Sequence, residues 1–174
     1  DLARSDQAYE ANILEGMSWL CLDYDEGPDR PGDVGPYRQS DRISSGVYQE
    51  AVDALFESGR AYYCFCTEED LNTDREKAKL EGRPYVYQRR ELSDAQVQQN
   101  LTDKVPYTIR FQMPKQETLV FEDLIRGSLS FDLSLLSDFV IMKSDGTPSY
   151  NFACVVDDAA MQISHVIRGE DHIA

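Results

Sequence analysis

The sequence has no apolar run approaching the roughly 20 residues that a membrane-spanning helix needs, and nothing at its start reads as a secretory signal. A cytoplasmic setting, or an organelle stroma or matrix, is the expectation. Basic side chains are scarce. Seventeen Lys and Arg against 32 Asp and Glu leave a formal charge of −15, which excludes bulk electrostatic capture of nucleic acid or anionic membrane and leaves any polyanion to a local basic patch. Cysteine is thin and irregularly spaced, at Cys21, Cys64, Cys66 and Cys154. Cys64 and Cys66 alternate along one predicted strand, poorly placed to bridge each other, so reduced thiols are expected. Histidine occurs only at His165 and His172. No catalytic triad, metal box, phosphate loop, internal repeat or low-complexity tract is complete anywhere in the chain.

What remains suits a folded protein: 174 residues, 41% hydrophobic and 10% aromatic, enough for one ordinary core or two small ones. The chain opens on Asp1 and closes on Ala174 directly after a charged cluster, and reads as a piece of a longer protein. Apolar positions from Ser5 to Leu22 recur at three- and four-residue steps and predict an amphipathic helix packed on a core. The Gly-, Pro- and Asp-rich stretch 25–37 is a loop. A second helix is expected over 41–58, with Val47, Tyr48, Ala51, Val52 and Leu55 inward and Gly59 as its stop. AYYCFC at 61–66 reads as a strand, and Thr67 with Asp70 as the cap of a helix reaching about Leu80. Residues 82–104 read as a loop with a short helix near 93–100. Short β segments follow in PYTIRF, LVFEDLIRG, SLSFDL and SDFVIM, and an antiparallel sheet accommodates them. A helix over 150–161 and a buried strand over 162–167 complete the order, the strand's carboxyl end delivering Arg168, Gly169, Glu170, Asp171 and His172.

That order, α/β material around a β-rich block, predicts a doubly wound, Rossmann-like α/β domain interrupted by an α+β insertion, with ligands at the carboxyl ends of strands. Arg168 stands out. A guanidinium there offers a two-pronged fork to a carboxylate or phosphate, or a structural pair with Asp157, Asp158 or Glu170. Asp157 and Asp158 project about 100° apart on a helix and do not share a metal site easily. His165, within an apolar strand, reads as a core histidine. Cys64 and Cys66 supply two zinc ligands of four, and PYVYQRRE at 84–91, where a second pair would stand, contains neither Cys nor His.

Several segments carry more than their chemistry: GPYRQSDR (35–42), AYYCFCTEEDL (61–71), PYTIRFQMP (106–114), LIRG (124–127), SDFVIMKSDGTPSYNFACVVDDAAM (137–161) and ISHVIRGEDHIA (163–174). In order and spacing the chain resembles the bacterial or organellar glutamyl-tRNA synthetases over nearly its whole length. The resemblance implies residues 1–61 as part of the class I catalytic domain, 62–148 as the inserted acceptor-binding domain, and 149–174 as the return to the catalytic domain. It implies activation of glutamate by ATP with Mg2+ to glutamyl-adenylate, then transfer to the 3′ end of tRNA(Glu), by a parent enzyme that is monomeric. The His-Ile-Gly-His-type and Lys-Met-Ser-Lys-Ser-type motifs lie outside these residues, so the piece alone is expected to be inactive.

Position by position, the resemblance makes Tyr150 and Arg168 glutamate-binding residues, with Arg168 on the substrate's side-chain carboxylate. Cys154 falls where some members carry Asn near the amino acid. Asp171 and His172 match positions near the ATP. Asp1, Arg4, Arg126 and Lys143 match positions near the tRNA acceptor end, Arg126 and Lys143 in glycine-containing turns that can approach phosphate closely. Some relatives bind zinc through Cys-x-Cys and a second ligand pair. PYVYQRRE replaces that pair here, and no metal is expected. A glutamyl-queuosine tRNA synthetase paralogue and a non-catalytic tRNA-binding module are the alternative readings.

Overall fold

The computed structural model describes residues 6–169 and residue 173, and divides into two compact units, 1–42 and 43–174. In the first, α1 (Gln7–Trp19) is started by Asp6, whose carboxylate accepts the Ala8 N–H at 2.9 Å. No residue of α1 is buried: Tyr9, Ile13 and Trp19 all lie open. The periodicity predicted the helix correctly, but the core expected beneath its apolar face is not supplied by the described residues. The loop after it is organised by side chains. Tyr37 donates to Glu26, Tyr24 donates to Asp29 at 2.6 Å, and Arg38 grips Glu10 through two bonds of 2.8 and 2.6 Å. A Cβ added at Gly32 would stand 2.0 Å from the Glu26 carboxyl carbon, so the Glu26 side chain would have to move aside.

The helix expected over 41–58 is two helices, α2 (Gln39–Ser45) and α3 (Val47–Glu57). Gly46 separates them at φ 85°, a left-handed backbone that an unbroken helix cannot contain. In the second unit α3 buries Tyr48 and Val52, as its pattern requires. It leads into β1 (Ala61–Cys64), which pairs antiparallel with β2 (Thr108–Phe111), and β2 pairs antiparallel with β5 (Val140–Met142). Between these strands lie α4 (Glu68–Leu80), α5 (Asp94–Thr102) and the ribbon of β3 (Thr118–Asp123) and β4 (Gly127–Asp132). Both helices start in reciprocal capping boxes, Thr67 with Asp70 and Ser93 with Gln96.

Because strand side chains alternate, β1 serves two clusters. Ala61 joins Tyr48, Val52, Ile109, Ile141, Met142, Phe152 and Ala153 in the main core, while Tyr62 and Cys64 meet Tyr87 on the other face. The main core is closed by α6 (Tyr150–Ala160), capped by Ser149 and packed on α3 and β5. That core therefore draws on all three stretches of the chain distinguished in the sequence.

One expected element is absent among the described residues. Residues 163–169 form no strand, and Ile163, Val166 and Ile167 are exposed. A strand exists only where a neighbour supplies hydrogen-bonding groups, and no described segment pairs with this one. His165, expected in a core, is accordingly exposed, its Nδ1 3.0 Å from the Ser164 hydroxyl. All strand pairs described are antiparallel, so the parallel sheet expected of a doubly wound domain is not assembled by these residues.

Candidate functional site

The helix α6 carries the centre of the site. Ser149 stands in extended backbone and accepts the Phe152 N–H, starting the helix at Tyr150. Phe152 and Ala153 are buried, and Val156 packs against the same core. This turns Tyr150, Cys154 and Asp158, spaced four apart, to another face. Tyr150 is 63% exposed, while Cys154 and Asp158 are half-buried. Arg168 returns to that face. Its guanidinium comes within electrostatic reach of Cys154, Tyr150 and Asp158, the Cys154 sulfur foremost, and together they hold it more firmly protonated than usual. Three residues singled out in the sequence thus meet around one exposed guanidinium. Asp158, considered in the sequence as one possible structural pair for Arg168, follows Cys154 by four residues and is the helix acid whose charge bears on that guanidinium.

The two adjacent aspartates have separate surroundings, as their 100° divergence requires. Both carboxylate oxygens of Asp157 accept from the Tyr48 hydroxyl, at 2.9 and 3.0 Å, joining α6 to α3 across 109 positions of sequence. Asp157 is engaged by α3, and Asp158 is the one of the two whose charge bears on Arg168. Glu170, a third partner considered for Arg168, lies outside the described residues, as do Asp1, Arg4, Asp171 and His172.

Arg126 and Lys143 occupy exposed turns. Asp123 accepts the N–H groups of Ile125 and Arg126, both at 2.8 Å, and Gly127 follows at φ 74° to close the β3–β4 hairpin. The Arg126 and Ile125 amides hold the Asp123 carboxyl below its ordinary pKa. Lys143 heads a second turn, with Gly146 at φ 80° donating to the Lys143 carbonyl at 3.0 Å. Each turn presents its cation on a backbone shaped by glycine.

A separate cluster surrounds Tyr87, which sequence reasoning passed over because its partners lie 21 and 23 residues away. The Cys64 and Cys66 sulfurs lie 3.2 and 3.5 Å from the Tyr87 hydroxyl. The expected strand over 61–66 ends at Cys64, and both thiols reach the same phenol oxygen. Arg110 lies over the Tyr87 ring at 3.8 Å. Among the described residues no three His, Cys, Asp or Glu side chains gather as a metal site.

The chain is a class I tRNA synthetase catalytic domain: the family described as "tRNA synthetases class I (E and Q), catalytic domain" matches residues 1–174, and the chain belongs to it. Within that family its relatives are glutamate–tRNA ligases. The chain is 48% identical to the enzyme of Sulfurihydrogenibium sp., with all of this chain and 36% of the relative aligned, and 48% identical to glutamate–tRNA ligase 1 of Syntrophomonas wolfei, with 35% of that relative covered. A crystal structure of the Elizabethkingia meningosepticum glutamate tRNA ligase in complex with its amino acid is similar at a TM-score of 0.89 and 34% identity, over 98% of this chain and 36% of that one. The chain thus spans about a third of the length of these relatives. No described helix is long and apolar enough to cross a membrane.

Proposed function

We propose that this chain is part of a glutamate–tRNA ligase, in which it contributes the glutamate-binding face and the acceptor-binding insertion. The observation that carries the reading is the meeting of Tyr150, Cys154 and Arg168 at one face of α6. Among the described residues no carboxylate forms an ion pair with Arg168, so its fork is available to a ligand carboxylate. Glutamate's side-chain carboxylate fits. Glutamine would leave the guanidinium's charge and donors unmatched, which is the kind of mismatch that discriminates strongly.

The reaction has two steps. The α-carboxylate of glutamate attacks the α-phosphorus of ATP and pyrophosphate leaves, giving glutamyl-adenylate; a ribose hydroxyl of the terminal adenosine of tRNA(Glu) then takes the acyl group and AMP leaves. These residues contribute by holding and orienting the amino acid, so that the attack proceeds from a fixed geometry. Asp171 and His172 belong to the ATP side of the site. Magnesium would arrive bound to the nucleotide's phosphates and neutralise their charge. Arg126 and Lys143, with Asp1 and Arg4, belong to the tRNA side, where local basic turns offset a net charge of −15. In this reading 62–148 is the inserted unit, the remainder belongs to the catalytic domain, and the protein works as a cytoplasmic or organellar monomer.

The test is Arg168→Ala in the full-length protein. Glutamate-dependent ATP–pyrophosphate exchange is expected to vanish while the circular dichroism spectrum stays unchanged. Exchange near the parent rate would refute the assignment.

A further inference from the structure

We infer that Cys64 and Cys66 form an oxidant-responsive dithiol, in which hydroperoxide converts the pair to an intramolecular disulfide with Cys64 as the attacked thiol and Cys66 as the resolving one. The inference is independent of the ligase reading.

Four observations carry it. First, both sulfurs face one phenol oxygen, at 3.2 and 3.5 Å, and because β1 ends at Cys64 the pairing of the strand does not extend to Cys66. Second, Arg110 is 8% exposed, and among the described residues no carboxylate forms an ion pair with it. One of its terminal nitrogens donates to the Asp138 carbonyl at 2.6 Å, and its Nε has no partner. The Asp138 carboxylate is already engaged by the Tyr62 hydroxyl at 2.7 Å, the Met113 N–H at 3.0 Å and the Lys115 ammonium at 3.3 Å. A buried guanidinium needs a compensating anion, and the Cys64 sulfur is the neighbouring group able to become one. Third, a cavity of about 180 Å³ is lined by Cys64, Cys66, Tyr87 and Arg90, which gives a water-sized oxidant a route to sulfurs that are otherwise covered. Fourth, the two thiols are electrostatically unequal. Burial works against the Cys64 thiolate, but the Tyr87 hydroxyl beside it and the nearby Arg110 charge favour it and the pKa is lowered overall, whereas burial raises that of Cys66. A stabilised thiolate beside a second thiol is the arrangement that reacts and then resolves.

The chemistry balances with hydrogen peroxide as the sole oxidant. The Cys64 thiolate attacks one peroxide oxygen, an S–O bond forms, the O–O bond breaks, and hydroxide leaves to take up a proton as water. Cys66 loses its proton and attacks the Cys64 sulfur of the sulfenic acid. The S–S bond forms, the S–O bond breaks, and a second water leaves. Two thiols and one peroxide thus give one disulfide and two waters.

The experiment is dilute hydrogen peroxide on the full-length protein, followed by alkylation, proteolysis and mass spectrometry, with exposed Cys21 as internal reference. The peptide containing Cys64 and Cys66 is expected to lose two hydrogens at least tenfold faster than Cys21 is oxidised, and to regain them with dithiothreitol. Cys66→Ser should stop at oxygen addition on Cys64, and Arg110→Met should slow the reaction at least tenfold. Arg110→Lys, which keeps a cation, should restore part of the rate and guards against misfolding of the Met variant. Oxidation of Cys21 ahead of the pair, oxygen addition without a disulfide in the parent protein, or parent-like rates in both Arg110 variants would each overturn the inference.

Discussion

Replacing Tyr48 with Phe removes one oxygen atom and leaves the ring, which sits 2% exposed in the main core. The lost group donates to both oxygens of Asp157 at 2.9 and 3.0 Å. A hydrogen bond to a charged acceptor contributes about 1.5–3 kcal/mol, and the half-buried carboxylate keeps its desolvation cost when the donor goes. For a chain of this size that corresponds to a fall in Tm of roughly 3–12 °C. Each residue also has interactions beyond this bond, so a double-mutant cycle is the decisive measurement. Tyr48→Phe, Asp157→Ala and the pair would be compared by urea unfolding with a common m-value, and a coupling energy of about 1–2 kcal/mol is expected. Additivity within about 0.5 kcal/mol would show that α3 and α6 are held by apolar packing alone and that the bond contributes nothing of its own.

Arg126→Ala combined with Lys143→Ala should weaken tRNA binding at low salt and reduce the slope of log affinity against log salt by roughly 1 to 2. An unchanged slope would count against contact with the acceptor end. The Asp70 carboxyl is held at about 2, chiefly by the Thr67 backbone N–H and then by Arg90. A depressed carboxyl pKa contributes stability above its unfolded value and loses it as pH falls through the folded one. Acid titration of helicity should therefore show the Asp70 contribution to α4 declining as pH falls below the ordinary carboxyl pKa and exhausted once it has passed about 2, and Asp70→Asn should reduce helicity at neutral pH and remove that acid step. Purified protein should carry well under one equivalent of zinc by elemental analysis, and a full equivalent would mean that Cys64 and Cys66 have found further ligands.

Local chemistry made much of the fold legible. The Thr67–Asp70 cap, the stop at Gly59, the hairpin between Asp123 and Gly127 and the helix beginning at Tyr150 all depend on residues within a few positions of one another. The failures have equally specific causes. Gly46 was passed over inside an apolar pattern that continues on both sides of it, and only its φ of 85° divides α2 from α3. The strand expected at 162–167 is apolar enough, but an apolar run states only that a segment could be buried; it does not supply the neighbour that would pair with it.

By itself the sequence determined most of the elements and the family, and it singled out Tyr150, Cys154 and Arg168 as candidates, because helix periodicity, capping and the order of motifs are written within short stretches. Tertiary structure decided which carboxylate of the Asp157–Asp158 pair belongs to the core and which faces Arg168. It also decided that Cys64, Cys66, Tyr87 and Arg110 form one cluster. Those are contacts between residues up to 109 positions apart, set by how strands pair and how helices pack on them, and no local pattern encodes them.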